Sequence, residues 1–333
     1  MLAVVILAAG KGTRMRSPLP KVLHILAGEP LLIHVLETAL SLSPSEIITV
    51  VGHKAHLVEE VLSPYAVKKV WQREQLGTGH AVLVTEPFLH DFEGDVLVLC
   101  GDVPLLQPNT LKDLVSHHRQ SDATVTVLTA DVPDPTGYGR IVRDEGGLVD
   151  RIVEEKDASP SEKAIREINT GTYLFKKDFL FQALKEVRPD NVQGEYYLTD
   201  LVALARKAGL KVAALKASDE TEILGVNSQF DLAQAERIFQ SQLRERFMAQ
   251  GVTFVFPEAV YLERKVRIGA GSVVYPFVSL RGKTIVEEGV TIESHCDLKD
   301  VRVCAGAFIG AGNILRGGTV PPGVRLAPAK VLI

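Results

Sequence analysis

The chain has 333 residues, enough for about two domains as a soft prior. Lys+Arg 37 against Asp+Glu 41 leaves a net charge of −4, which argues against a nucleic-acid binder relying on a large positive field. With 46% hydrophobic and 23% charged residues, the composition excludes a disordered chain and fits an ordinary globule. No apolar run approaches the ~18 residues of a membrane-spanning helix. The opening run Leu2 to Ala9 is short, lacks a basic region before it and enters a Gly-rich loop, so it does not read as a signal peptide. Cys100, Cys296 and Cys304 are too few and too scattered for a disulfide framework. The expectation is a cytoplasmic protein without a membrane or nucleic-acid partner.

The first predicted strand, Leu2–Leu7, ends at a small-residue loop, Ala8-Ala9-Gly10-Lys11-Gly12-Thr13-Arg14-Met15. Continuous apolar runs recur at Ile47–Val51, ending in Gly52, and at Val96–Cys100, ending in Gly101-Asp102. Helical patterns such as Leu31–Leu42 and His56–Leu62 lie between them. Strands without polar alternation are buried on both faces, and their alternation with helices predicts a mainly parallel, Rossmann-like α/β sheet. Ligands bind beyond the carboxyl ends of such strands, so the loops after Leu7 and Cys100 are the first candidates for chemistry.

The first loop is neither a G-x-x-x-x-G-K-[ST] phosphate loop nor G-x-G-x-x-G, because Met15 stands where the third glycine belongs. Its glycines still let backbone N–H groups approach a phosphate or base, and Arg14 and Lys21 add a fixed and a mobile cation. Gln72-Arg73-Glu74-Gln75-Leu76-Gly77-Thr78-Gly79-His80 sets amide side chains, which can read a base edge, beside a second Gly-rich turn. Asp102 is a carboxylate at the end of a buried strand, a place that suits Mg²⁺ or, as well, a helix cap. His80 reads as a brace for its loop, and His117-His118 as a solvated helix face.

Ser228 to Met248 is a long polar helical pattern, read as an arm. From Gly251 onward apolar residues recur every six: Leu262, Ile268, Val274, Leu280, Val286, Ile292, Leu298, Cys304. A second row runs from Val260 to Cys296, breaks at Arg302 and resumes at Phe308, Ile314, Val320, Leu326 and Leu332. This period predicts a parallel β-helix of hexapeptide repeats, whose coils share a core that no single repeat could bury. It resembles the left-handed β-helix of hexapeptide transferases, shortened to about four coils. The predicted layout is a first domain over 1–227, a linker helix over 228–250 and a short left-handed parallel β-helix over 251–333.

The L-A-A-G-x-G-T-R-M loop, Q-x-x-Q-L-G-T-G-H-A and G-D-V-P-L resemble the bacterial sugar-1-phosphate nucleotidyltransferases. Gly137–Ile141, Glu154–Asp157, Glu167–Gly171, Gly194–Asp200 and Gly225–Asn227 narrow the resemblance to one group. That group is the uridylyltransferase half of the bifunctional N-acetylglucosamine-1-phosphate uridylyltransferase/glucosamine-1-phosphate acetyltransferase family. The resemblance implies UMP transfer from UTP to N-acetylglucosamine 1-phosphate with release of pyrophosphate, in service of cell-envelope precursors. It implies nucleotide contacts at Leu7, Ala8, Ala9, Gly10, Gln72, Gly77 and Thr78, with Arg14 and Lys21 as catalytic cations at the phosphates. Asp102 and Asn227 are implied as Mg²⁺ ligands, and Gly139, Glu154, Asn169 and Thr199 as sugar contacts. Cys100 departs from the tyrosine common in the family. In that family the β-helix is longer and carries a catalytic histidine in later coils, so acetyltransferase activity is expected to be absent and the repeat to serve assembly, as in a homotrimer. The competing readings are a relative using another nucleotide or sugar, and a non-catalytic nucleotide-sugar-binding scaffold.

Overall fold

The computed structural model describes residues 1–332, which divide into two compact units. The first comprises Met1–His24 and Leu31–Asp231, the second Ile25–Pro30 and the described residues from Leu232 onward.

Nine strands build the sheet of the first unit: β1 (Leu2–Ala8), β2 (Glu46–Val51), β3 (Lys68–Trp71), β4 (Asp95–Cys100), β5 (Val125–Asp131), β6 (Gly139–Arg143), β7 (Val149–Val153), β8 (Glu167–Lys176) and β9 (Val212–Lys216). Seven lie in the order β9-β5-β8-β4-β1-β2-β3, and β6 and β7 extend from β8. The sheet is mainly parallel, but β8 runs antiparallel to both β4 and β5. Val4, Val5, Ile6, Val96, Leu97 and Val98 are fully buried, so the runs read as two-sided strands are two-sided. Each such side chain contributes about 1.5–3 kcal/mol relative to an exposed one. Strand β1 has β2 on one side and β4 on the other, with Leu7 level with Cys100 and Ala8 level with Val51. The chain order therefore reverses beside β1, and the loops leaving β1 and β4 open a crevice at their carboxyl ends.

In the second unit three parallel sheets of five, five and four short strands stack coil on coil, the arrangement of a left-handed parallel β-helix. Leu262, Ile268, Val274, Leu280, Val286, Ile292 and Leu298 fill its core as the six-residue period predicts. The continuation differs. Tyr261 pairs with Ser279 and Ser279 with Asp297, but Asp297 pairs with Ile314, one residue short of the earlier spacing. Val303, not Cys304, lies against Val286, because a corner at Asp300 (φ 57°) closes one residue sooner. A second shortened corner follows Leu315, at Gly317 and Gly318 (φ 65° and 78°), and returns Val320 to the inward row. Cys304 is still buried, whereas Ile314 faces outward and Phe308 is only half-buried, with Arg325 over its ring. The inward place expected of Ile314 is taken by Asn313, whose amide donates to Gly310 O and Ala327 O and accepts from Lys330 N–H.

The helix Gln229–Ala249 inserts Leu243 and Phe247 into this β-helical core. A short antiparallel ribbon, Ile25–Leu26 with Glu29–Pro30, also belongs to the second unit. Ala27 at its turn donates to Glu236 (2.9 Å) and accepts from Arg264 N–H (2.9 Å). No periodicity in the sequence marks that assignment. Among the described residues no helix is long and apolar enough to cross a membrane.

Candidate active site

Beyond the carboxyl ends of β1 and β4 lies a cavity of about 530 Å³. Leu7, Ala8, Ala9, Gly10, Lys21, Gln72, Gly77, Thr78, Cys100 and Asp102 line it. Gly12 lies at φ 61°, and a Cβ there would sit 2.6 Å from Lys21 Cβ, so only glycine lets the loop fold back over Lys21. Gly77 lies at φ 109°, and a Cβ there would sit 2.6 Å from Tyr196 O. Its loop is tied to the 195–197 segment by Tyr196 N–H to Leu76 O and Gly79 N–H to Tyr196 O, both 2.8 Å. This tie brings Glu195 into the lining, where it joins Gln75. Neither was among the named nucleotide contacts; Gln75 is the second amide of its motif and Glu195 lies within the Gly194–Asp200 motif, but only the backbone pairing of the two segments puts Glu195 beside this loop. Gln72 is nearly wholly buried, and its amide nitrogen is spent on Gly77 O (3.0 Å) and His80 Nδ1 (3.1 Å). His80 thus stands as a brace.

Arg14 and Asn227 do not line the cavity but meet beside it: Arg14 Nη2 donates to Asn227 Oδ1 at 2.9 Å. Lys21 Nζ donates to the same oxygen at 2.9 Å and also to Asp102 Oδ2. Three local features place this group. Val226 N–H donates to Asp102 O (2.8 Å), joining the loop before Asn227 to the end of β4. Asp231 Oδ2 accepts from the N–H groups of Asn227 and Ser228 (2.9 and 2.8 Å). Asp231 N–H returns a bond to Ser228 Oγ, so the reciprocal cap that starts the long helix also pins Asn227. A carboxylate and an amide oxygen, hard donors both, thus converge on a single ammonium group. That arrangement fits a small divalent cation, which takes few protein ligands and keeps water or phosphate oxygens on its other faces. Among the described residues no group of three or more His, Cys, Asp or Glu side chains is arranged to hold a metal.

Glu154, Asn169, Thr199 and Gly139 do not line the cavity but come together as a second group. Thr199 Oγ1 donates to Glu154 Oε1 (3.2 Å), and Asn169 Oδ1 accepts from Gly171 N–H (3.1 Å). A Cβ at Gly139 would touch Asn169 and Glu154. Cys100 adjoins both the cavity and this group: it lines the first, and its thiol donates to Gly171 O at 3.5 Å.

The nucleotidyl transferase family profile matches residues 3–240. The chain belongs to the nucleotidyl transferase family. The bifunctional protein GlmU of Streptococcus suis is 45% identical over 336 residues, covering 98% of this chain and 72% of its own. A GlmU of Thermus thermophilus is 48% identical over 339 residues, 100% of this chain and 74% of its own. That of Halalkalibacterium halodurans is 48% identical over 299 residues, 90% of this chain and 66% of its own. The chain thus spans about two thirds to three quarters of the relatives' length. Its enzyme class is that of the UDP-N-acetylglucosamine pyrophosphorylases, which are uridylyltransferases.

The electrostatics of this nucleotidyl transferase divide the two groups. Burial pushes the Cys100 thiol up to about 12, with the Asp102 charge adding to the effect, so it is a neutral S–H at working pH. Its alkylation by iodoacetamide at pH 8 is expected to be about 10³-fold slower than that of a free cysteine, since the thiolate is the nucleophile. Peptide mass spectrometry over a time course checks this, and rapid labelling would contradict it. Burial likewise raises Glu154, against the Thr199 hydrogen bond, and lifts Asp200 to about 6 with help from the Asp157 charge. Burial and the nearby Glu154 charge hold Tyr173 well above its ordinary value. The group around Glu154 therefore holds carboxyls that burial raises, and the side of Asp102 carries Arg14 and Lys21. One histidine departs from expectation. His118 is not solvated but buried under its helix, 2.7 Å from Thr126 Oγ1 and 3.5 Å from Asp95, because β5 covers that face.

Proposed function

We propose that the chain transfers UMP from UTP to N-acetylglucosamine 1-phosphate with Mg²⁺, yielding UDP-N-acetylglucosamine and pyrophosphate. The observation that carries the reading is the convergence of Asp102 and Asn227 on Lys21, with Arg14 alongside, at the edge of the cavity. In this reading a sugar-phosphate oxygen attacks the α-phosphorus of UTP, a new P–O bond forms, and the α–β bridge breaks toward pyrophosphate. The nucleophile is already anionic, so no general base or covalent intermediate is required. What opposes reaction is repulsion between anions and the charge gathering on the leaving group. Arg14 and Lys21 answer both, and the loop 8–12 and Gln72 hold the nucleoside so that the reactants meet in line. Asp102 and Asn227 would hold Mg²⁺, which when bound supplies positive charge beside the phosphate oxygens. Glu154, Asn169, Thr199 and the Gly139 backbone would take the sugar, the carboxylate accepting from its hydroxyls.

The proposal places the enzyme in the cytoplasm, on the route to cell-envelope precursors, with the β-helix joining subunits into a trimer. Pyrophosphate release across a panel of nucleoside triphosphates and sugar 1-phosphates, with Mg²⁺ or with chelator, tests the assignment. UTP with N-acetylglucosamine 1-phosphate is expected to exceed every other pair by about tenfold or more, and chelation to stop it. Preference for thymidine triphosphate with glucose 1-phosphate would replace this reading by its nearest competitor. No turnover with any pair would favour a binding scaffold.

A further inference from the structure

Arg140 and Glu155 stand in two of the recognised motifs, yet the reaction as described gives them nothing to do. Arg140 is among the largest fully buried side chains, 1% exposed, on β6 between β7 and β8. Its Nη2 pairs with Glu155 Oε2 at 2.7 Å and reaches Lys163 O at 3.5 Å, and its Nη1 donates to Tyr138 O. The same Glu155 oxygen accepts from Gly137 N–H at 3.3 Å. One ion pair therefore grips the turn 137–139 from both sides, by a carbonyl and by an N–H. Neither side chain lines the nucleotide cavity. What the turn delivers is Gly139. A Cβ there would lie 3.5 Å from Glu154 Oε2 and 3.4 Å from Asn169 Cβ, so its backbone faces both proposed sugar contacts. Glu154 and Glu155 are chain neighbours that turn apart, the first to Thr199 and the second to Arg140. Burying a guanidinium is a poor way to gain stability, because desolvation offsets much of the attraction. It is an effective way to fix geometry, since a planar donor fork engages several acceptors at once.

We infer that the Arg140–Glu155 pair is a positioning device for the sugar phosphate, holding the Gly139 backbone opposite Glu154 and Asn169. The inference rests on the sugar-site reading above, and its test separates the two. In the full chain, Glu155→Gln and Arg140→Lys are compared with Glu154→Gln, measuring kcat, the KM of each substrate and the thermal midpoint. Glu155→Gln and Arg140→Lys are each expected to raise the KM for N-acetylglucosamine 1-phosphate about tenfold, with the KM for UTP changed by less than about twofold. Glu155→Asp, which keeps the carboxylate, is expected to recover part of the loss. An unchanged sugar-phosphate KM in the folded variants overturns the inference. So does a parallel rise in both KM values that tracks a lowered thermal midpoint, since that marks a structural role alone. Should Glu155→Gln fail to fold, Arg140→Lys carries the same comparison. If Glu154→Gln raises the sugar-phosphate KM and neither pair variant does, only the positioning role falls. If Glu154→Gln also leaves it unchanged, the sugar site itself is misplaced and the inference falls with it.

Discussion

Lys21→Ala and Arg14→Ala are each expected to lower kcat by about 10²–10³, the loss typical when one group stabilising transition-state charge is removed. The reason lies in where the two cations sit. Both meet the Asn227 amide oxygen at 2.9 Å, and Lys21 also engages Asp102, so the chain gathers its positive charge at one place before any substrate is present. Such preorganisation requires little rearrangement as charge develops on the leaving pyrophosphate. Lys21→Arg is expected to recover only part of the activity, because a planar fork cannot replace a compact ammonium held between a carboxylate and an amide. Single-turnover kinetics at saturating substrates separate the chemical step from binding. Undiminished turnover in both alanine variants would remove these residues from the mechanism.

Asp102→Ala is expected to reduce kcat by about 10³ or more at any Mg²⁺ concentration, since the carboxylate supplies the negative charge of the proposed metal pair. Asn227→Ala removes a neutral oxygen and is expected to raise the Mg²⁺ concentration for half-maximal rate by about tenfold, with partial recovery of kcat at high metal. The asymmetry follows from the two side chains: a hard dication is bound mainly by charge and then by ligand number. Mg²⁺ titrations of pyrophosphate release, paired with Mn²⁺ binding followed by electron paramagnetic resonance, check both statements. Equal metal dependence in the wild type and both variants would place the cation elsewhere. Asn227→Ala also leaves Asp231 bonded to the backbone of residues 227 and 228, so the helix start is preserved and the effect can be assigned to the side chain.

Local pattern accounts for much of what could be read in advance. Val4 to Ile6 and Val96 to Val98 form strands buried on both faces, and continuous apolar runs of that length admit few other fates in an α/β chain. The β-helix announces itself through a period shared by many repeats, each depending on its neighbours for a core. The loops at Gly10 and Gly77 were visible as glycine clusters after a strand or before a helix. The close approaches of Gly12 to Lys21 and of Gly77 to Tyr196 give the reason those glycines are needed.

Other features depend on contacts that no window of sequence contains. Arg14 and Asn227 meet across 213 residues, and Lys21 and Asp102 across 81; residue chemistry offered Arg14, Lys21 and Asp102, the family resemblance alone offered Asn227, and only folding could bring them together. The slip that puts Val303 rather than Cys304 under Val286 comes from one early corner at Asp300, and a six-residue period cannot report where a coil is shortened. His118 looks solvated on its own helix and is buried because β5 packs over it. The ribbon at Ile25–Pro30 belongs with the β-helical core through Ala27, although its chain neighbours on both sides belong to the nucleotidyl transferase unit. The amino-acid order by itself determined the periodicities, the glycine turns and the chemical character of each candidate side chain, because these are properties of short segments. The tertiary structure decided which of those side chains share a site, which amides are already engaged and which carboxyls titrate high, because proximity and desolvation arise only when distant segments pack.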